Sequence, residues 1–173
     1  MLRYAAERSV GVRGGQSARA ESIDPRAAGS ANNRKEVQML SAAELLGYLS
    51  YPVCLDYLAD DVEWHLPVGL WEGVGGAHVG RAAVEKMLHK VMAEFYDPAT
   101  IEPEITCSFG DETHATIVFT MTASTRWGER YRNGYAITIE ACAGKIARVY
   151  EVFDTKNLFD TVDNTKLGPC AAI

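Results

Sequence analysis

The hydrophobic pattern of this chain changes its period once, and this change strongly restricts the possible folds. Residues 81–96, RAAVEKMLHKVMAEFY, predict one long helix whose apolar stripe consists of Val84, Met87, Leu88, Val91, Met92 and Phe95. After Asp97-Pro98 the apolar residues alternate, and four strands are predicted in TIEPEITCSF, THATIVFTMTAST, RYRNGYAITIEA and KIARVYEVF. Helices followed by a meander indicate an α+β fold, a curved antiparallel sheet that forms a cone-like half-barrel around the long helix.

The segment before the long helix predicts two helical pieces, one strand and a loop. Ser41 and Glu44 form a possible capping box at the first helix, and Pro52 should divide the helical segment. DVEWHLP reads as a short strand, and the glycine-rich VGLWEGVGGAHVG as a flexible connection. A short helix, KNLFDTVD, is predicted after the last strand.

Three regions follow from these patterns. Residues 1–36 show no apolar period and predict a disordered tail, with a transit-like segment or an upstream start-site artefact as alternatives. Residues 37–160 form the α+β domain, and residues 161–173 a C-terminal tail. A chain of this length can bury a single core.

Composition excludes several classes of protein. The chain has 47% hydrophobic and 23% charged residues, which is typical of a globular protein, and no apolar run is long enough to span a membrane. The net charge is −6, and residues 1–36 carry seven basic and four acidic side chains, so the remainder carries −9. An acidic body argues against nucleic acid as a partner. Four scattered cysteines suggest reduced thiols in a cytoplasm.

A carboxylate interrupts the apolar face of the last strand, ARVYEVFDT. Alternation places Glu151 with Ala147, Val149 and Phe153. A carboxyl group on an inward, apolar face loses hydration, and its pKa rises toward the range of a general acid or base. The alternatives are a glutamate at the sheet edge or one paired with an arginine such as Arg148 or Arg130.

Histidines and metal ligands contribute less to the predicted site. Val62, Trp64 and Leu66 form the apolar face of the first strand, so His65 is expected on the opposite face. No spacing of His, Asp or Glu predicts a metal site, and we expect no cofactor.

Three segments carry a family resemblance: LADDVEWHLP, HVGRAAVEKML and GKIARVYEVFDT. Together they resemble the SnoaL-like branch of the nuclear-transport-factor-like superfamily, which includes ketosteroid isomerase and limonene epoxide hydrolase. The resemblance covers residues 40 to 160 and implies the cone-shaped α+β fold with a pocket at its open end. The superfold hosts isomerases, cyclases, hydrolases and binding proteins, so fold alone does not give the chemistry.

The resemblance keeps one catalytic position of the hydrolase and changes others. Its second carboxylate falls on Glu151, whereas its Arg and Asp fall on Val118 and Thr120. Its water-holding residues fall near Trp64 and Leu66. Hydrolysis by that set of residues is therefore not expected.

The resemblance to ketosteroid isomerase also loses its base, which would fall on Leu66. Its oxyanion-hole acid falls on or beside Tyr135, whose hydroxyl can donate a hydrogen bond. Asn133 shares a strand face with Tyr135 by alternation, and the matched positions line the relatives' pocket. The alternative is that Tyr135 is a core aromatic residue.

Further pocket positions are implied in the same way. The threonine side of one strand, with Val118, Thr120 and Thr122, would look into the cavity, or instead face a dimer partner, since homodimers are common in the family. The apolar boundary is expected from Trp64, Leu66, Val91, Phe95, Phe153 and Leu158.

These observations predict a cofactor-independent acid-base enzyme, an isomerase, cyclase or hydrolase, that acts on a small hydrophobic metabolite. Glu151 would move the proton, and Asn133 and Tyr135 would orient the substrate. The expected partners are that metabolite and a second copy of the chain, with neither nucleic acid nor membrane. The alternative function is a non-catalytic module for ligand binding or dimerisation.

Overall fold

The computed structural model describes residues 39–167, and the tail predicted at 1–36 lies outside them, as do residues 168–173. The described part contains three α-helices and six strands: α1 (Ala42–Leu45), α2 (Arg81–Glu94), α3 (Thr155–Thr161), β1 (Leu58–Leu66), β2 (Gly76–Val79), β3 (Glu102–Gly110), β4 (His114–Ser124), β5 (Arg130–Cys142) and β6 (Lys145–Phe153). Short 3₁₀ helices cover Leu46–Tyr48, Val53–Tyr57, Pro98–Thr100 and Asn164–Lys166. Among these helices, none is both long and apolar enough to cross a bilayer.

The α+β fold and the four-strand meander are confirmed. Strands β3 to β6 pair in sequence as antiparallel neighbours, and α2 precedes them. The predicted turn at Ala143-Gly144 joins β5 to β6, with φ values of 50° and 74°. Positive φ at both central positions is typical of a type I′ hairpin turn and favours glycine there.

The sheet is mixed, which corrects the expectation of a purely antiparallel sheet. Its strand order is β2-β1-β6-β5-β4-β3, and β1 pairs with β6 in parallel. Alternation shows that a segment is a strand but does not identify its neighbour, because pairing depends on residues far apart in the sequence. β2 was also missed, since its four residues, GAHV, are too few for a periodic signal.

The N-terminal helices are shorter than predicted. The capping box of Ser41 and Glu44 is present, but α1 extends for only four residues before 3₁₀ turns follow. Pro52 precedes the second 3₁₀ helix, as expected of a break in the helical segment, and that helix leads directly into β1 at Leu58. Tertiary pairing with β6 therefore overrides the helical spacing of the residues before Val62.

Arg81 ties the start of α2 to the segment before β1. Its guanidinium donates hydrogen bonds to the backbone carbonyls of Leu55 at 2.6 Å and Leu58 at 3.0 Å, and its Nε donates to Glu85 at 2.9 Å. These bonds satisfy carbonyl groups at the point where the chain enters the sheet. They also fix the long helix relative to β1, the strand that carries Trp64.

The two faces of the sheet are named here by the side chains of β5. The inner face carries the buried residues Tyr131, Asn133, Tyr135, Ile137 and Ile139. Its four hydrophobic members belong to the same core cluster as residues of α2. The outer face carries the residues between them: Arg130, Arg132, Gly134, Ala136, Thr138 and Glu140.

An irregularity corrects one residue of the predicted inner face. The pairing of β5 with β6 shifts register between Glu140 and Ala141, so Ile146 is buried and Ala147 is only half-buried. A bulge inserts one residue and reverses the alternation on either side of it, which period counting alone does not detect.

The folded part also continues past residue 160, since Val162 is buried and Leu167 packs against the core.

Candidate active site

The carboxyl group of Glu151 lies on the inner face and accepts one hydrogen bond from a tryptophan. Trp64 Nε1 donates to Glu151 Oε2 at 3.0 Å. The parallel pairing of β1 with β6 sets Trp64 opposite Val149, two residues before Glu151, so both side chains share the inner face. Trp64 is buried, while Glu151 is half-buried.

Burial raises the pKa of Glu151 to about 7, and the hydrogen bond from Trp64 opposes this only in part. No basic side chain of the described residues forms an ion pair with it. Arg148, which was considered as a partner, bonds Glu63 and Glu140 on the outer face instead. A carboxyl group with this pKa populates both protonation states near neutrality, so it can accept or donate a proton.

A cluster of three tyrosines and one asparagine, called here the tyrosine cluster, lies on the same side of the sheet. Tyr135 Oη lies 2.9 Å from Tyr96 Oη and 2.7 Å from Tyr131 Oη. Asn133 Nδ2 donates to Tyr131 Oη at 2.9 Å and to the carbonyl of Asp154 at 2.9 Å. Burial raises the pKa of all three tyrosines, so they stay protonated and able to donate.

Glu151 is electrostatically coupled to this cluster. Its negative charge raises the pKa of Tyr96 and of Tyr131. It also contributes to the pKa of the Cys54 thiol, which burial raises to about 11. Cys54 is therefore a protonated thiol at neutral pH and not a nucleophile. The groups able to act at this site are the carboxyl of Glu151 and the phenolic hydroxyls.

The apolar residues predicted for the boundary lie on the core side of the fold. Three of them are buried: Trp64, Phe95 and Leu158. The other three are half-buried and pack against the core: Leu66, Val91 and Phe153. The ring centroids of Phe153 and Tyr135 lie 5.0 Å apart, so an apolar side chain of this set contacts the tyrosine cluster.

Several residues near the site were missed from the sequence. Tyr131 belongs to the same alternation as Asn133 and Tyr135, and that signal could have identified it. Tyr96 follows the end of α2, where no periodic pattern predicts its direction. Trp71 lies in the glycine-rich segment that was expected to be a flexible connection, yet it is buried and its ring centroid lies 5.5 Å from that of Phe95.

The structure does not bring the threonine side of β4 to this site. Phe119 pairs with Tyr135 in register, and the two rings stack with centroids 5.3 Å apart, so Phe119 points inward. Strict alternation then places Val118, Thr120 and Thr122 on the outer face. This corrects the expected direction of these three side chains and leaves the other alternative, a surface that faces a partner.

His65 lies on the outer face, as alternation predicts. Its Nε2 lies 3.0 Å from Glu63 Oε2, and its ring stacks on Tyr150 with centroids 4.8 Å apart. It therefore points away from Glu151. Within residues 39–167, no three His, Cys, Asp or Glu side chains come together as a metal-binding group.

Comparison with known proteins identifies the fold. The SnoaL-like domain family matches residues 50–149. A solved NTF2-like protein from Burkholderia xenovorans LB400 is 24% identical, with 63% of this chain and 80% of that chain covered and a TM-score of 0.50. None of the curated proteins matches this sequence.

Two further solved structures carry functional names. A candidate isomerase from Rhodopseudomonas palustris is 15% identical over 64% of this chain and 81% of its own, with a TM-score of 0.57. A candidate polyketide cyclase from Pseudomonas putida KT2440 is 17% identical over 72% of this chain and 99% of its own, with a TM-score of 0.54. At these identities the similarity establishes the fold and not the reaction.

Proposed function

This chain belongs to the SnoaL-like family, and from that premise we propose that it is a cofactor-independent acid-base enzyme acting on a small hydrophobic metabolite. The observation that carries the proposal is the carboxyl group of Glu151, which has no cationic partner among the described residues and a pKa of about 7. A group with this pKa can move protons at neutral pH, whereas an exposed glutamate is ionised and a weak base.

The proposed step is a proton transfer at carbon. The Glu151 carboxylate takes a proton from a carbon next to a carbonyl group, and the C–H electrons move into a new C=C bond while the carbonyl oxygen becomes negative. A hydroxyl of the tyrosine cluster donates a hydrogen bond to that oxygen. In isomerisation, Glu151 returns the proton to another carbon while the negative oxygen becomes a carbonyl again. In ring closure, the carbon attacks a second carbonyl while the first oxygen becomes a carbonyl again, and the oxygen of the attacked carbonyl takes the proton back from Glu151.

The surroundings support an apolar substrate with few charges. Phe153, Val91 and Leu66 are half-buried and pack against the core. That core includes the buried residues Trp64, Phe95 and Leu158. The structural relatives named as a candidate isomerase and a candidate polyketide cyclase are compatible with either outcome of the proposed step. Hydrolysis is less well supported, because it needs a second group that activates water.

The test combines ligand binding with turnover. A panel of small apolar ketones, alcohols, epoxides and fused aromatic compounds would be screened by melting temperature and by mass spectrometry of products. A ligand at about a thousand times its Kd stabilises the fold by about 4 kcal/mol, which raises the melting temperature by several degrees. We expect Glu151→Gln to keep binding and to lose at least about a hundredfold of turnover.

Glu63→Gln is the matched control, because it makes the same chemical change on the outer face of a neighbouring strand. It should leave turnover within about threefold of the wild type. Turnover that falls less than tenfold in Glu151→Gln would disprove the role of Glu151. Ligands that bind the wild type without any product would favour the alternative function.

That alternative is a non-catalytic binding module of the same fold. It is favoured by one observation: the positions that match the hydrolase's Arg and Asp carry Val118 and Thr120, and both lie on the outer face. Glu151 would then hydrogen-bond a ligand rather than move its proton.

We also propose that a second copy of this chain covers the outer face. Register places two uncharged rows across four strands, the first formed by Val152, Ala136, Val118 and Cys107 and the second by Tyr150, Thr138, Thr116 and Phe109. Val152 is 57% exposed and Phe109 is 64% exposed, a pattern that marks an interaction surface when such residues are contiguous.

The charges beside these rows suit a copy of the same chain. Arg148 bonds Glu140 at 2.6 Å and Glu63 at 3.2 Å, so one cation faces two carboxylates, and the adjacent row keeps only one negative charge of the chain's net −6. Two such faces meet with only weak like-charge repulsion.

Sedimentation equilibrium tests this surface. We expect dimers of the wild type at micromolar concentration and monomers of Val152→Glu, because a carboxylate in an apolar interface is costly. Val68→Glu is the matched control, since Val68 is 71% exposed and follows β1 in a loop. A monomeric wild type, or a dimeric Val152→Glu, would contradict the proposal.

A further inference from the structure

One row of the outer face carries basic and acidic side chains in alternation across four strands. The register pairs His114 of β4 with Glu140 of β5, Glu140 with Arg148 of β6, and Arg148 with Glu63 of β1. Residues paired directly on neighbouring strands point to the same face of a sheet. These four residues, called here the charged row, therefore present an imidazole, a carboxylate, a guanidinium and a carboxylate in that order.

Contacts within the chain hold the charged row in place but leave it open to solvent. Arg148 Nη1 donates to Glu140 at 2.6 Å, and Arg148 Nε donates to Glu63 at 3.2 Å. His114 Nε2 lies 3.6 Å from Glu140 Oε1. The side chains of Arg148, Glu140 and Glu63 nevertheless remain 35%, 32% and 34% exposed. A molecule that covers the outer face therefore meets side chains whose positions are already fixed.

The two central residues of the charged row keep unused hydrogen-bonding groups. A guanidinium has five N–H donors, and the hydrogen bonds of Arg148 use only Nε and Nη1. Within residues 39–167, Arg148 Nη2 donates to no acceptor and Glu140 Oε1 accepts no hydrogen bond. A donor and an acceptor of opposite charge are thus left over for another molecule.

The order of the charged row limits how two copies can meet. Two copies packed face to face are related by a twofold axis that lies between the sheets. An axis parallel to the strands, between β5 and β6, sets each row against itself in reverse order. Glu140 then faces the partner's Arg148, and His114 faces the partner's Glu63. An axis perpendicular to the strands and through this row would instead set Glu140 against the partner's Glu140.

We infer that the charged row is a self-complementary contact between two copies of this chain, and that the twofold axis runs parallel to the strands between β5 and β6. The inference rests on the proposal that a second copy covers the outer face, and it adds which residues face each other. Facing sheets lie about 10 Å apart, a gap that one glutamate and one arginine side chain can span together. An imidazole can donate to a carboxylate whether or not the ring is charged, so the outer contacts also form.

The two uncharged rows of the outer face agree with the same axis. It sets Ala136 against the partner's Val152 and Thr138 against the partner's Tyr150, because these residues are paired across β5 and β6. The exposed surfaces of Val152 (57%) and Tyr150 (43%) would then both be covered by uncharged side chains. One axis therefore satisfies the charged and the uncharged rows together.

The test reverses the order of the two central charges. The double variant Glu140→Arg/Arg148→Glu keeps the net charge of the chain and an ion pair between these two positions. It should still dimerise with itself, because each central charge again faces its opposite. In a mixed dimer with the wild type, however, carboxylate would face carboxylate and guanidinium would face guanidinium, which costs affinity.

The measurement mixes ¹⁵N-labelled wild type with the unlabelled double variant at micromolar concentration and counts the dimers by native mass spectrometry. Random mixing gives mixed dimers as about half of the total, and we expect fewer than about one tenth. The matched control is Lys90→Glu/Glu94→Lys, which reverses an ion pair of 2.6 Å on α2 rather than on the sheet. This control should mix with the wild type at random.

A second variant gives a result even if the double variant is too unstable to fold. Glu140→Gln removes one central charge from each copy and should raise the Kd of the dimer at least about tenfold. Glu94→Gln is its control on α2 and should leave the Kd unchanged. An unchanged Kd in Glu140→Gln would overturn the inference.

The mixing experiment separates this inference from the proposals on which it rests. Random mixing, or an excess of mixed dimers, would overturn the assigned axis while the second-copy proposal stands. A monomeric wild type would contradict both. Turnover of Glu151→Gln judges the proposed enzyme activity independently of either result.

Discussion

The pKa of a glutamate is shifted in opposite directions on the two faces of the sheet. Glu63 lies on the outer face, where hydrogen bonds from Arg148 and His65 lower its pKa. Glu151 lies on the inner face of the neighbouring strand, where burial raises its pKa to about 7. Arg148 is only three residues from Glu151 in the sequence, yet it lies on the outer face and pairs with Glu63. The face of the strand, and not closeness in sequence, decides which carboxylate is neutralised by a cation.

The hydroxyl groups differ between the faces in the same manner. On the outer face, Thr116 and Thr138 form a single pair with their oxygens 2.9 Å apart, within reach of solvent. On the inner face the hydroxyls of the tyrosine cluster bond one another, because buried hydroxyls must be satisfied. Buried hydroxyl groups therefore form an ordered network, whereas hydroxyl groups on the outer face can bond solvent instead.

The largest expected effect on stability comes from the inner face. Ile139 is fully buried, so Ile139→Ala should lower the free energy of unfolding by about 2–5 kcal/mol through lost burial and a residual cavity. Urea unfolding followed by circular dichroism would measure this. A loss below about 1 kcal/mol would mean that the inner face is not a packed core.

The second prediction concerns the pH dependence caused by Glu151. Its folded pKa of about 7 exceeds the ordinary value of 4.5, so the folded state binds more protons between these values and loses stability as the pH rises through them. Glu151→Gln should remove this slope and stabilise the protein by up to about 3 kcal/mol above pH 7. Unfolding free energies measured across this range would check it, and equal slopes in both proteins would contradict it.

Glu63→Gln should change the pH dependence in the opposite sense. The pKa of Glu63 is lowered in the folded state, so its contribution is present above its unfolded pKa and is lost as the pH falls through the folded value. The variant should be less stable than the wild type at neutral pH, with the difference vanishing in acid. We expect a smaller effect than that of Glu151, because solvent screens the outer face. An unchanged stability at neutral pH would show that the Arg148 pair contributes nothing there.

The smallest effect is expected on the outer face. Val152 is 57% exposed, so Val152→Ala should change the unfolding free energy of the monomer by less than about 0.5 kcal/mol. The unfolding free energy should be measured at low protein concentration, where a dimer would dissociate. A loss comparable to that of Ile139→Ala under these conditions would mean that the outer face is covered within a single chain.

Much of the site followed from local pattern alone. Alternation along β6 placed Glu151 among apolar residues, and alternation along β5 placed Asn133 and Tyr135 on one face, because a strand has a period of two wherever it lies. The long helix and the four-strand meander were predicted within a few residues for the same reason. These features depend on neighbours in the sequence.

Long-range pairing decided the rest. The parallel contact between β1 and β6 brings Trp64 to Glu151, and the position of Tyr96 after α2 completes the tyrosine cluster. The outward direction of Val118 and Thr120 depends on which face of β4 is turned to the core. Residue order by itself determined the elements and the alternation of their side chains, whereas the tertiary structure decided which face is buried, because burial depends on contacts between segments far apart in the chain.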